Sequence, residues 1–134
     1  MKIISALEAA ALIPDNSTVA VSGSGAGNVI AEKILKAIED RFLETAQPTG
    51  LTVFHPQGIG DKADGGLGRL AHEKLVRRVI GGHWGMCPKM GDLAIAEKIE
   101  AYNLPQGVMA QMMREMAAKG PGIITHIGLG TYID

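Results

Sequence analysis

A single cysteine, Cys87, stands among 134 residues. That excludes an internal disulfide and, with no second cysteine nearby, the paired spacing of a thiolate metal site. The thiol is therefore read as structural or incidental. An excess of charge of either sign is also missing. The 13 basic and 14 acidic residues nearly cancel and do not cluster, which removes the electrostatic footprint of a general nucleic-acid or membrane-surface binder. Neither nucleic acid nor membrane is expected as a partner, whereas a small neutral or anionic metabolite stays open. No apolar run approaches the roughly eighteen residues of a membrane-crossing helix. Met1 and Lys2 lead into a short apolar segment interrupted by Ser5 and Glu8, too polar and too short for a signal peptide, so a cytoplasmic protein is expected. The four histidines, His55, His72, His83 and His126, share no short spacing that would make a metal pair on one helix or hairpin. No nucleophile has an adjacent base anywhere in the chain.

What is present is the composition of a folded domain: 46% hydrophobic and 20% charged residues, enough to bury a real core in one unit. The order of the elements is organised around Ser22-Gly23-Ser24-Gly25-Ala26-Gly27-Asn28. Thr18 to Val21 before it has strand character, and Ile30, Ile34, Ile38 and Phe42 after it recur every four positions, which predicts a helix over 28–43. Ser5 and Glu8 fit a capping box for a short first helix running to about residue 12. Further along, strands are predicted over 51–54, 77–80 and 99–102, and helices over 70–76, 88–97 and from 108 to just before Gly120. A last strand is predicted to begin at Ile123 and Ile124. A helix followed by about four β-α repeats and a final strand argues for an α/β fold, a mostly parallel sheet with helices on both faces. The chain stops a few residues after the last predicted strand, where another loop would begin. This predicts the first part of a longer chain.

In an open α/β sheet, ligands collect beyond the carboxyl ends of the strands, which here carry the loops at 22–28, 55–68, 81–87, 103–107 and 126–130. The glycines of the first turn allow close approach of another group, and the first amides of the following helix point toward it. A negative charge or a polarised oxygen is expected there, and the turn alone does not choose between them. A dinucleotide fold is disfavoured, because Asn28 stands where the third fingerprint glycine belongs and His55-Pro56 replaces the acidic residue that would hold a ribose. A P-loop is excluded by the absence of a following Gly-Lys-Ser/Thr. Asp61, Asp64 and Glu73 are candidate carboxylates, but a hydrophilic loop favours solvation or capping roles for them. The helical spacing of Met109, Met112, Met113 and Met116 reads as core.

Asn103-Leu104-Pro105-Gln106-Gly107-Val108, a helix, then Gly120-Pro121-Gly122-Ile123 and Gly128-Leu129-Gly130-Thr131 resemble the family I coenzyme A transferases, in particular the acetate or propionate type. Gly23-Ser24-Gly25-Ala26-Gly27, Gly58-Ile59-Gly60-Asp61 and Gly82-His83-Trp84-Gly85 occur in the family's order at compatible separations, so the resemblance covers nearly the whole chain. Many relatives carry Gly-Gly-Phe and then a proline at the first turn. This sequence does not, which points to the propionate-type branch. The resemblance implies the family's three-layer architecture and ping-pong transfer of coenzyme A between an acyl-CoA and a short-chain carboxylate. The chemistry runs through an acyl-glutamyl anhydride and a glutamyl-CoA thioester. None of the glutamates here matches the nucleophile's motif, so no catalytic residue is expected in this chain, and alone it is expected to be inactive.

By position the resemblance implies a substrate-binding share for Gly23, Ser24, Gly25, Ala26 and Gly27, whose amides would stabilise developing negative charge, and for Gln106, whose side-chain amide would reach the reacting group. His83 joins this set, although packing under Trp84 is an alternative for it. No cofactor and no metal are implied, the CoA esters being substrates. The implied partners are a C-terminal CoA-transferase domain or subunit and further copies in a homo-oligomer. Two rivals remain: a non-catalytic domain that binds a small molecule or sugar phosphate, and a structural subunit that completes another chain's site.

Overall fold

The computed structural model describes residues 3–23, 25–26 and 29–134. The first helix, α1 (Ala6–Ala11), begins as its capping box dictates: the Glu8 amide donates to Ser5 Oγ, and Glu8 Oε2 accepts from the Ser5 amide at 2.8 Å. Strand β1 (Thr18–Ala20) follows, then the two-residue strand β2 (Gly25–Ala26) inside the glycine turn, then α2 (Glu32–Thr45). Helix α2 buries Leu35 and Ile38 against the sheet. Its Arg41 donates from Nη1 to the Ala10 and Ile13 carbonyls at 2.7 and 2.8 Å, closing the end of α1.

Strands β3 (Leu51–His55), β5 (Val76–Gly81) and β6 (Glu100–Asn103) complete a four-stranded sheet, all parallel, in the order β1-β3-β5-β6. A second, two-stranded parallel ladder pairs β2 with β4 (Ile59–Gly60). Each strand of the main sheet is added on the same side of its predecessor. Right-handed crossovers between such strands place their connections on one face, and one buried cluster accordingly joins α1, α2 and α3 (Pro88–Ile95) with Leu51, Val53 and Val79 of the sheet. Among the described residues, only α4 (Gln106–Ala117), which leaves the last strand, covers the opposite face. The α/β architecture with a parallel sheet and helices on both faces is as expected from the sequence, with the helices divided unequally.

The short strands β2 and β4 form in stretches read as loops, α2 begins at Glu32 instead of near residue 28, and two expected elements are not formed. In place of a helix over 70–76 there is a 3-10 turn, Leu67–Leu70, and then irregular chain. The reason is tertiary. The Lys74 and Leu75 carbonyls accept from the Gly50 and Leu51 amides at 2.8 Å, so the backbone is already committed to the β3 ladder and Lys74 adopts a left-handed conformation (φ 73°). The strand predicted at Ile123 is also not formed. The segment after α4 closes local turns instead, Leu129 to His126 and Thr131 to Gly128, and Ile124 lies fully exposed. A strand needs a ladder partner, and none reaches this segment among the described residues.

Candidate functional site at the carboxyl edge of the sheet

Parallel strands send all their following loops to one edge. Here the loops after β1, β3, β5 and β6 meet there, held by glycines where the backbones touch. A side chain at Gly82 would stand 2.2 Å from the Pro56 carbonyl oxygen and 3.5 Å from Gln106 Cα, and one at Gly58 would run into the His83 ring at 2.4 Å. A Cβ at Gly60 would lie 2.1 Å from the Met86 carbonyl oxygen. The Lys62 amide donates to that same carbonyl at 3.0 Å. The contacts stitch the second loop to the third and the third to the start of α4.

Of the residues expected at the site, Gly23 is buried, and a Cβ there would stand 2.5 Å from the Val29 carbonyl oxygen. Gly25 and Ala26 pair with Ile59 and Gly60. The first glycine turn is therefore anchored to the second loop by a short ladder, and part of its backbone hydrogen bonding is used there. Ser24 and Gly27 lie outside the described residues. His83 is exposed and packs on Gly58 and Gly85. Gln106 opens α4 directly after Pro105, which acts as its N-cap. Its side chain is exposed. The structure thus brings His83, Gln106 and the first turn to one edge, all touching the Gly58–Gly60 segment or Gly82.

Beneath them lies a residue that in the sequence is only one of four unpaired histidines. His55 ends β3 almost wholly buried, and its Nδ1 lies 2.9 Å from the Gln57 carbonyl oxygen. That contact requires a proton on Nδ1 and leaves Nε2 free to accept. Burial lowers the His55 pKa below its ordinary value of 6.5, the carbonyl bond opposes this, and nearby His83 adds to it. Burial thus favours the neutral ring. Its Nε2 and Trp84 Nε1 both face Gly81, where a Cβ would be 2.3 and 3.1 Å from them, and the two rings meet edge-on at 6.3 Å between centroids. A side chain larger than hydrogen at residue 81 would displace this pair.

The carboxylates behave as a hydrophilic loop suggests. Asp61 Oδ1 accepts from the Ala63 and Gly65 amides at 2.9 and 3.0 Å, an Asx-type turn whose only signal in the sequence is an aspartate before a glycine-rich stretch. Asp64 pairs with Lys89, and Glu73 with Lys98 at 3.7 Å. Cys87 is buried, and burial raises its thiol pKa. Sequence reasoning missed Glu32, which reaches from the start of α2 to the Gly66 amide at 2.8 Å and to Arg69 Nε at 2.9 Å. Its partners lie more than thirty positions away, so no local pattern could have shown it. No group of three or more His, Cys, Asp or Glu among the described residues is placed to hold a metal ion.

A parallel α/β domain whose glycine-bearing loops converge at the carboxyl ends of its strands is a small-molecule site scaffold. The chain belongs to the coenzyme A transferase family, whose model, described as Coenzyme A transferase, matches residues 3–134. It is 46% identical over 132 residues to the acetate CoA-transferase YdiF of Escherichia coli O157:H7, covering 98% of this chain and 25% of that protein. It is 47% identical to the caffeate CoA-transferase of Acetobacterium woodii, over 99% of this chain and 25% of that one. One subunit of a probable succinyl-CoA:3-ketoacid coenzyme A transferase of Bacillus subtilis is 31% identical, over 96% of this chain and 51% of that subunit. The crystal structure of the acyl-CoA transferase YdiF apoenzyme superposes with a TM-score of 0.95 at 45% identity, covering 98% of this chain and 26% of that one. A second YdiF structure, a thioester complex with CoA, gives 0.94 at 46% identity, covering 98% and 27%. The chain spans about a quarter of the length of the first of these relatives.

Proposed function

We propose that this chain is the N-terminal domain of a cytoplasmic, oligomeric enzyme that moves coenzyme A between a short-chain acyl-CoA and a carboxylic acid such as acetate or propionate. Its share is one wall of the acyl-transfer site. The nucleophilic glutamate comes from a C-terminal domain or subunit. That carboxylate attacks the thioester carbonyl and expels the CoA thiolate, forming an acyl-glutamyl anhydride. The thiolate then attacks the glutamyl carbonyl and releases the acyl group as a carboxylate, leaving a glutamyl-CoA thioester that an acceptor acid reverses. The observation that carries the reading is the convergence of the first turn, Gly58–Gly60, Gly82-His83 and Gln106 at one edge. On this reading, backbone amides of the first turn and the Gln106 side chain would stabilise the tetrahedral oxyanion as it forms. Gln106 is exposed at the start of α4, where its side-chain amide can reach a ligand. No cofactor or metal enters these steps.

The test uses the whole protein with propionyl-CoA and labelled acetate. Labelled acetyl-CoA should form, and a glutamate outside residues 1–134 should carry CoA as a hydroxylamine-labile adduct by mass spectrometry. Steady turnover by the 134-residue chain alone would overturn the reading. Gln106→Ala should lower kcat by about 10²-fold, the magnitude of losing one oxyanion donor, with an unchanged unfolding transition. An unchanged kcat would return Gln106 to a loop role. A partner on a separate chain is the second reading, supported by the relatives that are themselves named as subunits. Affinity purification of the native protein distinguishes the two, since a separate subunit appears as a second polypeptide.

A further inference from the structure

Glu32 is the first residue of α2, six positions after Ala26, and each of its carboxylate oxygens has a partner. Oε2 accepts from the Gly66 amide at 2.8 Å and Oε1 from Arg69 Nε at 2.9 Å. Arg69 in turn donates from Nη1 to Glu39 Oε2 at 3.1 Å, and Glu39 Oε1 lies 2.9 Å from His72 Nε2. Gly66, at φ 62°, is in the left-handed region that glycine adopts freely. It lies directly on Gly60, so that a Cβ on it would be 2.8 Å from Gly60 Cα, and the two residues form an antiparallel bridge. Gly60 is the residue that pairs with Ala26, and Ile59 pairs with Gly25. The path from Glu32 through Gly66 and Gly60 back to Ala26 therefore closes on the glycine turn from which α2 departs.

We propose that Glu32 is a positioning residue that holds the Gly25–Ala26 backbone in place through the Gly60–Gly66 loop. The proposal rests on reading that turn as a wall of the acyl-transfer site. Glu32 touches no reacting atom, and its effect is on where the turn's amides point. Both functions of the side chain need its length and its two acceptors. Asp is a methylene too short to span from α2 to Gly66, and Gln keeps one acceptor while presenting an amide N–H to Arg69 or to Gly66. The Glu32 side chain is 41% exposed beside Arg69, so the charge pair itself contributes little to global stability. This separates positioning from folding. The pair Lys36–Asp40, one turn further along α2, is similarly exposed and joins only α2 to itself, which makes it the control.

The test is carried out on the whole protein, with Glu32→Ala, Glu32→Gln and Asp40→Ala. For each, kcat and KM for acyl-CoA are measured, and deuterium uptake is followed in peptides spanning 22–30, 58–67 and 51–55. Glu32→Ala should lower kcat by about 10–100-fold, the cost of an ångström-scale misplacement at a reacting centre, with KM changed by less than about twofold. Exchange should rise in the first two peptides and stay constant in the third. Glu32→Gln should fall between wild type and Glu32→Ala, and Asp40→Ala should match wild type. Wild-type kcat in Glu32→Ala, or exchange rising equally in the β3 peptide, would overturn the proposal. If the wild-type protein shows no CoA transfer, it is the functional reading that fails. The exchange measurement then decides by itself whether Glu32 holds the turn, and unchanged uptake over 22–30 in Glu32→Ala would overturn that.

Discussion

The two faces of the main sheet share four strands and differ in almost everything else. On one, Val19, Val53 and Val79 stand in register under α1, α2 and α3, with Leu51, Leu35, Ile38 and Met90 sealed from solvent. On the other, the register makes one polar row, Thr18, Thr52, Arg78 and Glu100, and one apolar row, Ala20, Phe54, Ile80 and Tyr102. Arg78 Nε meets Glu100 Oε2 at 2.6 Å, which raises the arginine pKa and lowers that of the glutamate. Helix α4 covers this face loosely, leaving a cavity of about 420 Å³ between the sheet and Met112, Met113 and Met116. The methionine stripe is thus core only at Met109, while Met113 and Met116 are 44% and 61% exposed. The three-helix face is the more completely sealed of the two, while α4 buries Val108 and Met109 and carries Gln106 at its start.

The contrast breaks most directly at Leu51. Leu51→Ala removes a fully buried side chain from the closed face and should cost roughly 2–5 kcal/mol, read as a lower midpoint in urea denaturation with an unchanged slope. A cost below about 1 kcal/mol would mean that the closed face packs no better than the other.

A smaller effect comes from pH at His55, whose ring lies on the closed side of the same strand. Its folded pKa is depressed below 6.5 by burial, so the unfolded chain binds the extra proton first. The contribution of neutral His55 is fully present above the unfolded pKa and declines as pH falls below about 6.5 toward the folded value. Urea unfolding between pH 7 and pH 5 should show this loss, and His55→Gln should flatten it. An unaltered slope in the variant would assign the pH dependence to other groups.

The smallest effect is expected on the α4 face. Met116→Ala should change stability by less than about 0.5 kcal/mol, because the side chain is already largely in solvent. A loss as large as that of Leu51→Ala would erase the difference between the faces.

Much of the fold was legible because it rests on local signals. The Ser5–Glu8 box, the four-residue spacing from Ile30 to Phe42 and the apolar run at Leu51 each dictate an element without distant help. The chain over 70–76 was not legible, since its apolar residues suit a helix and only the pairing of Leu75 with Leu51 diverts them. Ile123 and Ile124 misled for the converse reason: β-branched residues favour extended chain, but a strand exists only where a neighbour offers a ladder. At the site, glycines marked which loops come together without marking what they touch. His55 and Glu32 were invisible as positioned groups because their settings are made by Gly81 and Trp84 in one case and by Gly66 and Arg69 in the other.

By itself the sequence determined a parallel α/β domain, the identity and order of its glycine loops, and the absence of any disulfide within the chain. These follow from residue type, periodicity and count. Only the tertiary structure decided which face of the sheet is sealed, that the first glycine turn is laddered to Ile59 and Gly60, and that Glu32 reaches across to hold the second loop. Those outcomes depend on strand order and on contacts between residues far apart in the chain, where sequence spacing carries no information about distance.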